Sequence, residues 1–331
     1  MRAEERRVEP PCRRRRQKTG NNLFLSFWRL RRHGGSLLFA CAFAAGCHVD
    51  RFTAHLTAPL LQNGTRSFDA EGDLEIARAA APGQLKSADG LLETVPDDRR
   101  ILELVARGYL LYSFGFVEDD LESTPDGEVE KRRTLVARAT ALYDRALGFA
   151  LRLVATHDRE FGGAFAHDAA AVAKAARRLK RDAVPGLVFG GMALSSSANL
   201  NRADLSRAVE LPKAIAMLER AHELDPEFYW GASPMVLGII YGSEPASLGG
   251  DPARSKRYFD EALAITHGKY LLVQVMMARA YAVAIHDRAL FERTLRDVLA
   301  TPADVEPRAR LANEMARRRA ARYLAREADL F

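Results

Sequence analysis

The stretch from Leu224 to Ala264, LDPEFYWGASPMVLGIIYGSEPASLGGDPARSKRYFDEALA, predicts two helices joined by a long turn. Residues 237–241, LGIIY, place a leucine and a tyrosine four positions apart, and residues at that spacing share one face of a helix. Residues 255–262, SKRYFDEA, place small residues on either side of a phenylalanine at helical spacing. Between them, residues 242–250 are rich in glycine and contain a proline, which favours a turn. The stretch therefore predicts a helix hairpin.

Similar spacings recur along the chain. Residues 237–241 match the L-G-x2-Y pattern of the first helix of a tetratricopeptide (TPR) repeat, and residues 255–262 match its second helix. Residues 139–146 and 214–221 repeat the second-helix spacing. The intervals between the large residues are too irregular for a standard array of repeats of about 34 residues. We therefore predict an all-α fold, an irregular TPR-like solenoid of helix hairpins (an α–α superhelix), over residues 97–331.

Residues 1–46 are interpreted as a signal or leader segment. They hold eleven Lys/Arg against three Glu, a net charge of +8, which leaves −2 for residues 47–331 out of the whole-chain +6. The body of the protein is therefore not expected to bind nucleic acid. The apolar run 37–46, LLFACAFAAG, is too short to span a bilayer core and is typical of a secretory signal.

Cys47 is predicted to be a site of lipid attachment. Residues 44–47, AAGC, are similar to a bacterial lipobox, in which the cysteine thiol is acylated, although alanine stands where leucine is usual. Acylation would anchor the protein to a membrane with its body facing the periplasm, and His48 at the next position is compatible with the outer membrane. The alternative is a cytosolic protein with a basic tail. Cys12 and Cys41 also lie in the leader, so residues after Cys47 contain no disulfide framework.

Residues 47–96 are expected to form a lead-in from the anchor with short helices. Pro82 should divide this region into two helices, 73–80 and 84–92, because an internal proline removes a helical hydrogen bond. A longer helix is expected over residues 101–121. One face of that helix carries a small and apolar stripe, made by Leu104, Gly108, Leu111 and Gly115.

Charged residues near two helix ends are expected to face water. Asp119 and Asp120 lie where the 101–121 helix ends. The final helix, predicted over residues 308–326, carries many arginines, which we interpret as a solvated cap on the end of the solenoid. A nucleic-acid surface would carry interleaved aromatic residues, and this helix has only Tyr323.

The sequence carries no motif of a known catalytic, metal or cofactor site. It lacks a nucleophile elbow, a P-loop and a dinucleotide-binding glycine pattern. Two His-Asp pairs, at 157–158 and 167–168, lack the ligand spacing of a metal-binding helix and are better interpreted as loop and cap residues. We therefore predict a protein that is not an enzyme and needs no metal or cofactor.

A candidate ligand-binding wall lies near Asn199, Phe228, Trp230 and Tyr241. Stacked hairpins form a concave surface, and aromatic residues with one polar group are typical of a small-molecule site. The helix over residues 186–200 is rich in small residues, which either leave room for a ligand or let neighbouring helices approach. Two alternatives stay open: that Trp230 and Tyr241 pack between hairpins, and that Asn199 caps a helix.

Several short motifs occur together in one known family. They are the lipobox-like Cys47, VPGL at 184–187, LPKA at 211–214, YWG at 229–231, the turn at 245–250 with YFDEA at 258–262, and the chain end with LAN at 311–313 and DLF at 329–331. With these motifs, residues 47–331 resemble the T-component lipoproteins (TatT) of tripartite ATP-independent periplasmic (TRAP) transporters.

This resemblance implies a helical, TPR-like periplasmic lipoprotein. Such a protein would work with the solute-binding protein of a TRAP system and would handle an apolar or carboxylate-bearing ligand through a channel in its body. Self-association is left open. A second hypothesis is a TPR scaffold lipoprotein that binds peptide segments during envelope protein assembly and has no transport role. Co-purified partners would distinguish the two.

Overall fold

The regular structure of the chain is helical throughout the residues that the structure describes. The computed structural model describes residues 64–244, 247 and 249–331, and no strand occurs among them. This confirms the all-α prediction. The predicted leader, the predicted lipid-attachment site Cys47 and residues 245, 246 and 248 of the long turn lie outside the described residues. Within the described ranges, none of the helices combines the length and the apolar character needed to cross a bilayer.

The helices are labelled in chain order, after a helical segment at residues 64–69. They are α1 (Leu74–Leu91), α2 (Arg99–Tyr112), α3 (Glu118–Ser123), α4 (Val129–Ala155), α5 (Phe161–Phe165), α6 (Ala169–Ala176), α7 (Val184–Leu200), α8 (Leu205–Ala208), α9 (Leu211–Leu224), α10 (Phe228–Ser243), α11 (Pro252–Thr266), α12 (Leu272–Met276), α13 (Arg288–Ala300) and α14 (Arg310–Ala325). A π-helical segment, Ser113–Val117, joins α2 to α3, and another, Met277–Ala282, follows α12.

Helices that are near in chain order pack side by side. The main contacts are α2 on α4, α4 on α7, α7 on α9, α10 on α11 and α13 on α14. Two large apolar clusters result, one centred on α2, α4 and α7 and the other on α10 to α14. This order of packing agrees with a stack of hairpins, whereas the TPR-like solenoid stays an interpretation.

The hairpin predicted from residues 224–264 forms from α10 and α11. A Cβ atom added at Gly238 would lie only 3.0 Å from the ring of Phe259, so glycine is what allows the two helices to approach. The hydroxyl of Ser255 donates a 2.7 Å hydrogen bond to the carbonyl oxygen of Gly238. The amide of Asp251 donates to the carbonyl oxygen of Tyr241 across the end of the long turn.

The small residues of α7 serve close packing between helices. A Cβ atom at Gly186 would lie 3.1 Å from the carbonyl oxygen of Ala150 on α4, and one at Gly191 would lie 3.2 Å from that of Ala214 on α9. Contacts this tight leave no space for a larger side chain or for a ligand between those backbones. Of the two interpretations of this helix, the structure therefore favours helix approach at these positions.

The prediction of two short helices separated by Pro82 is wrong. Residues Leu74–Leu91 form a single helix that continues through Pro82. Its buried face packs on α2, where the side chain of Leu85 occupies the space above Gly108. An internal proline destabilises a helix by about 3 kcal/mol, and the apolar face buried on both sides of Pro82 offsets that loss.

The prediction of solvated charges at the two helix ends is wrong for Asp119, Arg319 and Arg322. Asp119 is 5% exposed and Arg319 is 2% exposed. Arg322 on α14 donates to Asp119 at 2.5 Å and to Glu122 at 2.6 Å, and Arg319 donates to the carbonyl oxygen of Phe114 at 2.7 Å. Residues about 200 positions apart in the sequence pair with each other here, and such pairing makes burial of the charges possible.

The two His-Asp pairs lie in loops. The carboxylate of Asp168 caps α6 by accepting a 2.8 Å hydrogen bond from the amide of Ala171, and Asp158 forms an ion pair with Arg178 at 2.7 Å. Over the part of the chain that the structure describes, no group of three or more His, Cys, Asp or Glu side chains is arranged to hold a metal ion.

Candidate functional site

A cavity of about 290 Å³ is lined by the segment at residues 64–69, α1, α2, the start of α10 and the residues around the start of α14. Its volume is near the lower end of the range for small-molecule sites, roughly 300–1,000 Å³. Apolar side chains dominate its lining, among them Phe68, Leu111, Phe114, Leu311 and Met315. The shape and chemistry of this cavity suit an apolar molecule.

The small and apolar stripe predicted on the 101–121 helix largely faces this cavity. Leu104, Gly108 and Leu111 all line it. Gly115 has another role, because a Cβ atom there would lie 2.6 Å from the end of the Met315 side chain. The stripe therefore both lines the cavity and allows α14 to approach.

A left-handed turn at the start of α10 directs two aromatic side chains toward the cavity. Tyr229, Trp230 and Gly231 have φ angles of 49°, 61° and 67°. For residues other than glycine this region is unfavourable by about 1–2 kcal/mol each. Such strain persists only where the surrounding packing holds it, and it is enriched at binding sites. Tyr229 and Trp230 both line the cavity.

The packing that holds the turn is aromatic. The ring of Trp230 stacks on that of Tyr270 with centroids 5.6 Å apart and planes 7° from parallel. The ring of Tyr229 meets the edge of Phe189 at 5.4 Å. The guanidinium of Arg308 also lies over the ring of Trp230, 5.3 Å from its centroid. Pairs of this kind contribute about 0.5–1.5 kcal/mol each, so together they offset the strain.

Polar groups converge at one part of the cavity wall. The guanidinium of Arg107 forms an ion pair with the carboxylate of Asp69 and lies 4.9 Å from the ring centroid of Tyr229. The hydroxyl of Tyr229 also interacts with this guanidinium. Tyr270, which is 4% exposed, presents a second phenol nearby. An apolar ligand with one polar group could therefore place that group here.

Burial changes the acidity of these polar groups. It raises the pKa of the Tyr229 and Tyr270 phenols above the usual value, so both remain neutral hydrogen-bonding groups. It also raises the pKa of the Asp69 carboxyl, which the neighbouring Arg107 opposes. Although burial disfavours its charged form, the pKa of Arg107 is raised by Tyr229 and Asp69, so the guanidinium stays charged.

The four predicted ligand-binding residues do not come together. Trp230 lines the cavity. Phe228 packs against Phe189, and Tyr241 stacks on Tyr258 while its hydroxyl donates to Glu219 at 3.1 Å.

Asn199 lies on the surface, and its side-chain oxygen accepts hydrogen bonds from Arg202 at 2.7 and 3.0 Å. Ligand binding stays a prediction for all four residues. The geometry favours Trp230.

Four residues of the polar wall were not predicted from the sequence, namely Asp69, Arg107, Tyr229 and Tyr270. One signal was available: Arg107 interrupts an apolar helix beside Gly108, and a charge in that position indicates a buried partner. The partner of Arg107 could not be inferred from the sequence. Asp69 lies 38 residues away, in a region whose sequence predicts only a lead-in to the helical domain.

The fold and the cavity together define a helical protein with a largely apolar cavity between its helices. The sequence model of the TRAP transporter T-component family matches residues 70–331, and the chain belongs to this family. The chain is also similar to an uncharacterized protein of Treponema pallidum (strain Nichols), with 26% identity over 307 residues that cover 88% of this chain and 95% of that protein.

Proposed function

We propose that this protein is a lipid-anchored accessory component of a TRAP-type solute uptake system. In this proposal Cys47 is acylated, the body faces the periplasm from the outer membrane, and the body binds the periplasmic solute-binding protein. The cavity holds an apolar molecule, with or without a carboxylate. Membership of the T-component family supports the link to the transporter.

The cavity is the observation that carries the proposed ligand role. Its lining combines apolar walls with an aromatic turn held in an unfavourable backbone conformation. A turn that only filled a core would have no need of three left-handed residues, whereas a site that must present two large rings to a ligand would. Binding and docking of this kind require no chemical step, which agrees with the absence of catalytic motifs from the sequence.

Co-purification tests both the partner and the anchor. The tagged full chain, extracted from envelopes with detergent, should carry the solute-binding protein of a TRAP system with it. A Cys47→Ser variant should leave the membrane fraction, because it lacks the thiol that is acylated. Cys41→Ser is the matched control, since it replaces a leader cysteine six positions earlier and should not change the fraction.

Two results would contradict the proposal. One is co-purification of an envelope assembly complex with no solute-binding protein, which would favour a scaffold role. The other is a Cys47→Ser protein that stays in the membrane fraction to the same extent as the Cys41→Ser control.

A further inference from the structure

The positive charge of Arg107 at the polar part of the cavity already has carboxylate partners. Arg107 pairs with Asp69, and Glu103, one turn earlier on α2, lies close enough to attract Arg107 as well. Among the described residues that line the cavity, the remaining charged side chain is Arg308. The Arg308 side chain is 79% exposed and pairs with Glu306 at 3.2 Å, so it belongs to the rim.

A ligand carboxylate would therefore meet a negative charge inside the cavity. To reach Arg107 it would have to come beside Asp69, and two carboxylates close together in a region with little water repel each other. A hydroxyl, amide or ester group adds no charge. It can accept a hydrogen bond from Arg107, and a hydroxyl or amide can also donate one to Asp69.

We propose that Asp69 sets the specificity of the cavity by excluding anionic ligands, so that the site takes an uncharged amphiphile. This inference rests on the proposed ligand role of the cavity. The alkyl part of the ligand packs among Leu104, Leu111 and Phe114, and its neutral head lies at the polar wall. The polar wall thus restricts the ligands that the cavity can bind. Of the apolar and carboxylate-bearing molecules considered above, those with an uncharged head remain.

Asparagine at position 69 would remove the charge of the Asp69 side chain while keeping its shape. Its side chain has nearly the size of aspartate and still offers Arg107 an oxygen acceptor, but it carries no charge. In an Asp69→Asn protein Arg107 loses the carboxylate with which it forms an ion pair, so a ligand anion meets one negative charge fewer at this part of the cavity. Glu103, which does not line the cavity, remains in place.

Decanol and decanoate are suitable probes because they share one alkyl chain and differ in the charge of the head. Their affinities are measured by calorimetry with the full chain at a pH of about 8, where decanoate is ionised. The wild-type protein should bind decanol at least about tenfold more tightly than decanoate. In Asp69→Asn the affinity for decanoate should rise about tenfold or more, while that for decanol changes much less.

Asp120→Asn is the matched control. Asp120 also pairs with an arginine, Arg78, through two 2.8 Å hydrogen bonds, but neither residue lines the cavity. This control should keep the wild-type preference for decanol. If circular dichroism shows that Asp69→Asn does not fold, the ratio of the wild-type affinities for decanol and decanoate still tests whether the cavity excludes an anionic head.

Equal wild-type affinities for the two probes, or a folded Asp69→Asn protein with an unchanged ratio, would overturn the inference while leaving the ligand role intact. A wild-type protein that binds neither probe would overturn the ligand role of the cavity, and this inference with it.

Discussion

The left-handed backbone conformation at Trp230 is unfavourable by itself, and the aromatic side chains packed around it hold it in place. The left-handed turn at Tyr229, Trp230 and Gly231 separates Phe228, which packs on Phe189, from two rings that face the cavity. The sequence suggested Trp230 as a binding residue because an aromatic side chain lay near a presumed groove. It could not predict the turn, because tyrosine and tryptophan rarely adopt positive φ and only Gly231 signals it.

Gly231→Ala tests this turn. Its φ of 67° is unfavourable for alanine, whereas the nearest atom to an added Cβ, in Ile265, would lie at an ordinary 3.5 Å. The substitution should therefore lower the free energy of unfolding, measured with urea, by about 1–2 kcal/mol. The cause is the unfavourable backbone conformation of alanine and not a steric clash. The matched control is Gly148→Ala in the middle of α4, where an added Cβ meets nothing within 4 Å. That change should stabilise the protein by about 0.5–1 kcal/mol. Equal effects of the two substitutions on the free energy of unfolding would contradict a left-handed conformation at Gly231.

At the scale of helices, much of the packing could be predicted from small residues at helical spacing. Gly238 and Phe259 were predicted to lie in a hairpin and do so, and Gly108 lies on the predicted stripe. Helix ends with many charges were predicted less well. The arginines of α14 pair with carboxylates of α3, and an isolated helix pattern contains no information about such a distant partner.

A buried carboxyl joins three helices beside these ion pairs. Glu118 accepts a hydrogen bond from the hydroxyl of Tyr143 on α4 and faces Arg319 on α14. Burial raises the pKa of Glu118 to about 7 from the ordinary value of 4.5. Between those pH values the folded protein holds a proton that the unfolded chain releases. Glu118 should therefore lower the free energy of unfolding as the pH rises through this window.

Glu118→Gln should remove this decrease in the free energy of unfolding with rising pH, because an amide does not ionise in this range. From pH 4.5 to 7 the wild-type free energy of unfolding should fall by about 2–3 kcal/mol relative to the variant, measured by urea unfolding at several pH values. Glu130→Gln is the control, since that side chain is 77% exposed and should leave the wild-type dependence unchanged. Parallel pH profiles for wild type and Glu118→Gln would show that this carboxyl is not the cause.

At the scale of the whole molecule, the fold class and the family were within reach of the sequence, but the cavity was not. Helical periodicity and short motifs are local, so they survive in a single sequence. The cavity needs Asp69, Arg107, Trp230 and Tyr270 to meet, and these residues are spread over about 200 positions. The sequence predicted that Asn199 and Tyr241 share a ligand-binding wall with Trp230, whereas in the structure Asn199 pairs with Arg202 and Tyr241 stacks on Tyr258.

The most direct test of the account uses Trp230 itself. The chain has two tryptophans, Trp28 and Trp230, so a Trp28→Phe protein reports on the cavity alone. Its tryptophan emission is recorded while decanol is added. We expect a saturable change in emission that fits one site, because the ligand comes into contact with the indole ring. Emission that does not change, or that changes linearly without saturation, would contradict a ligand-binding cavity at this position.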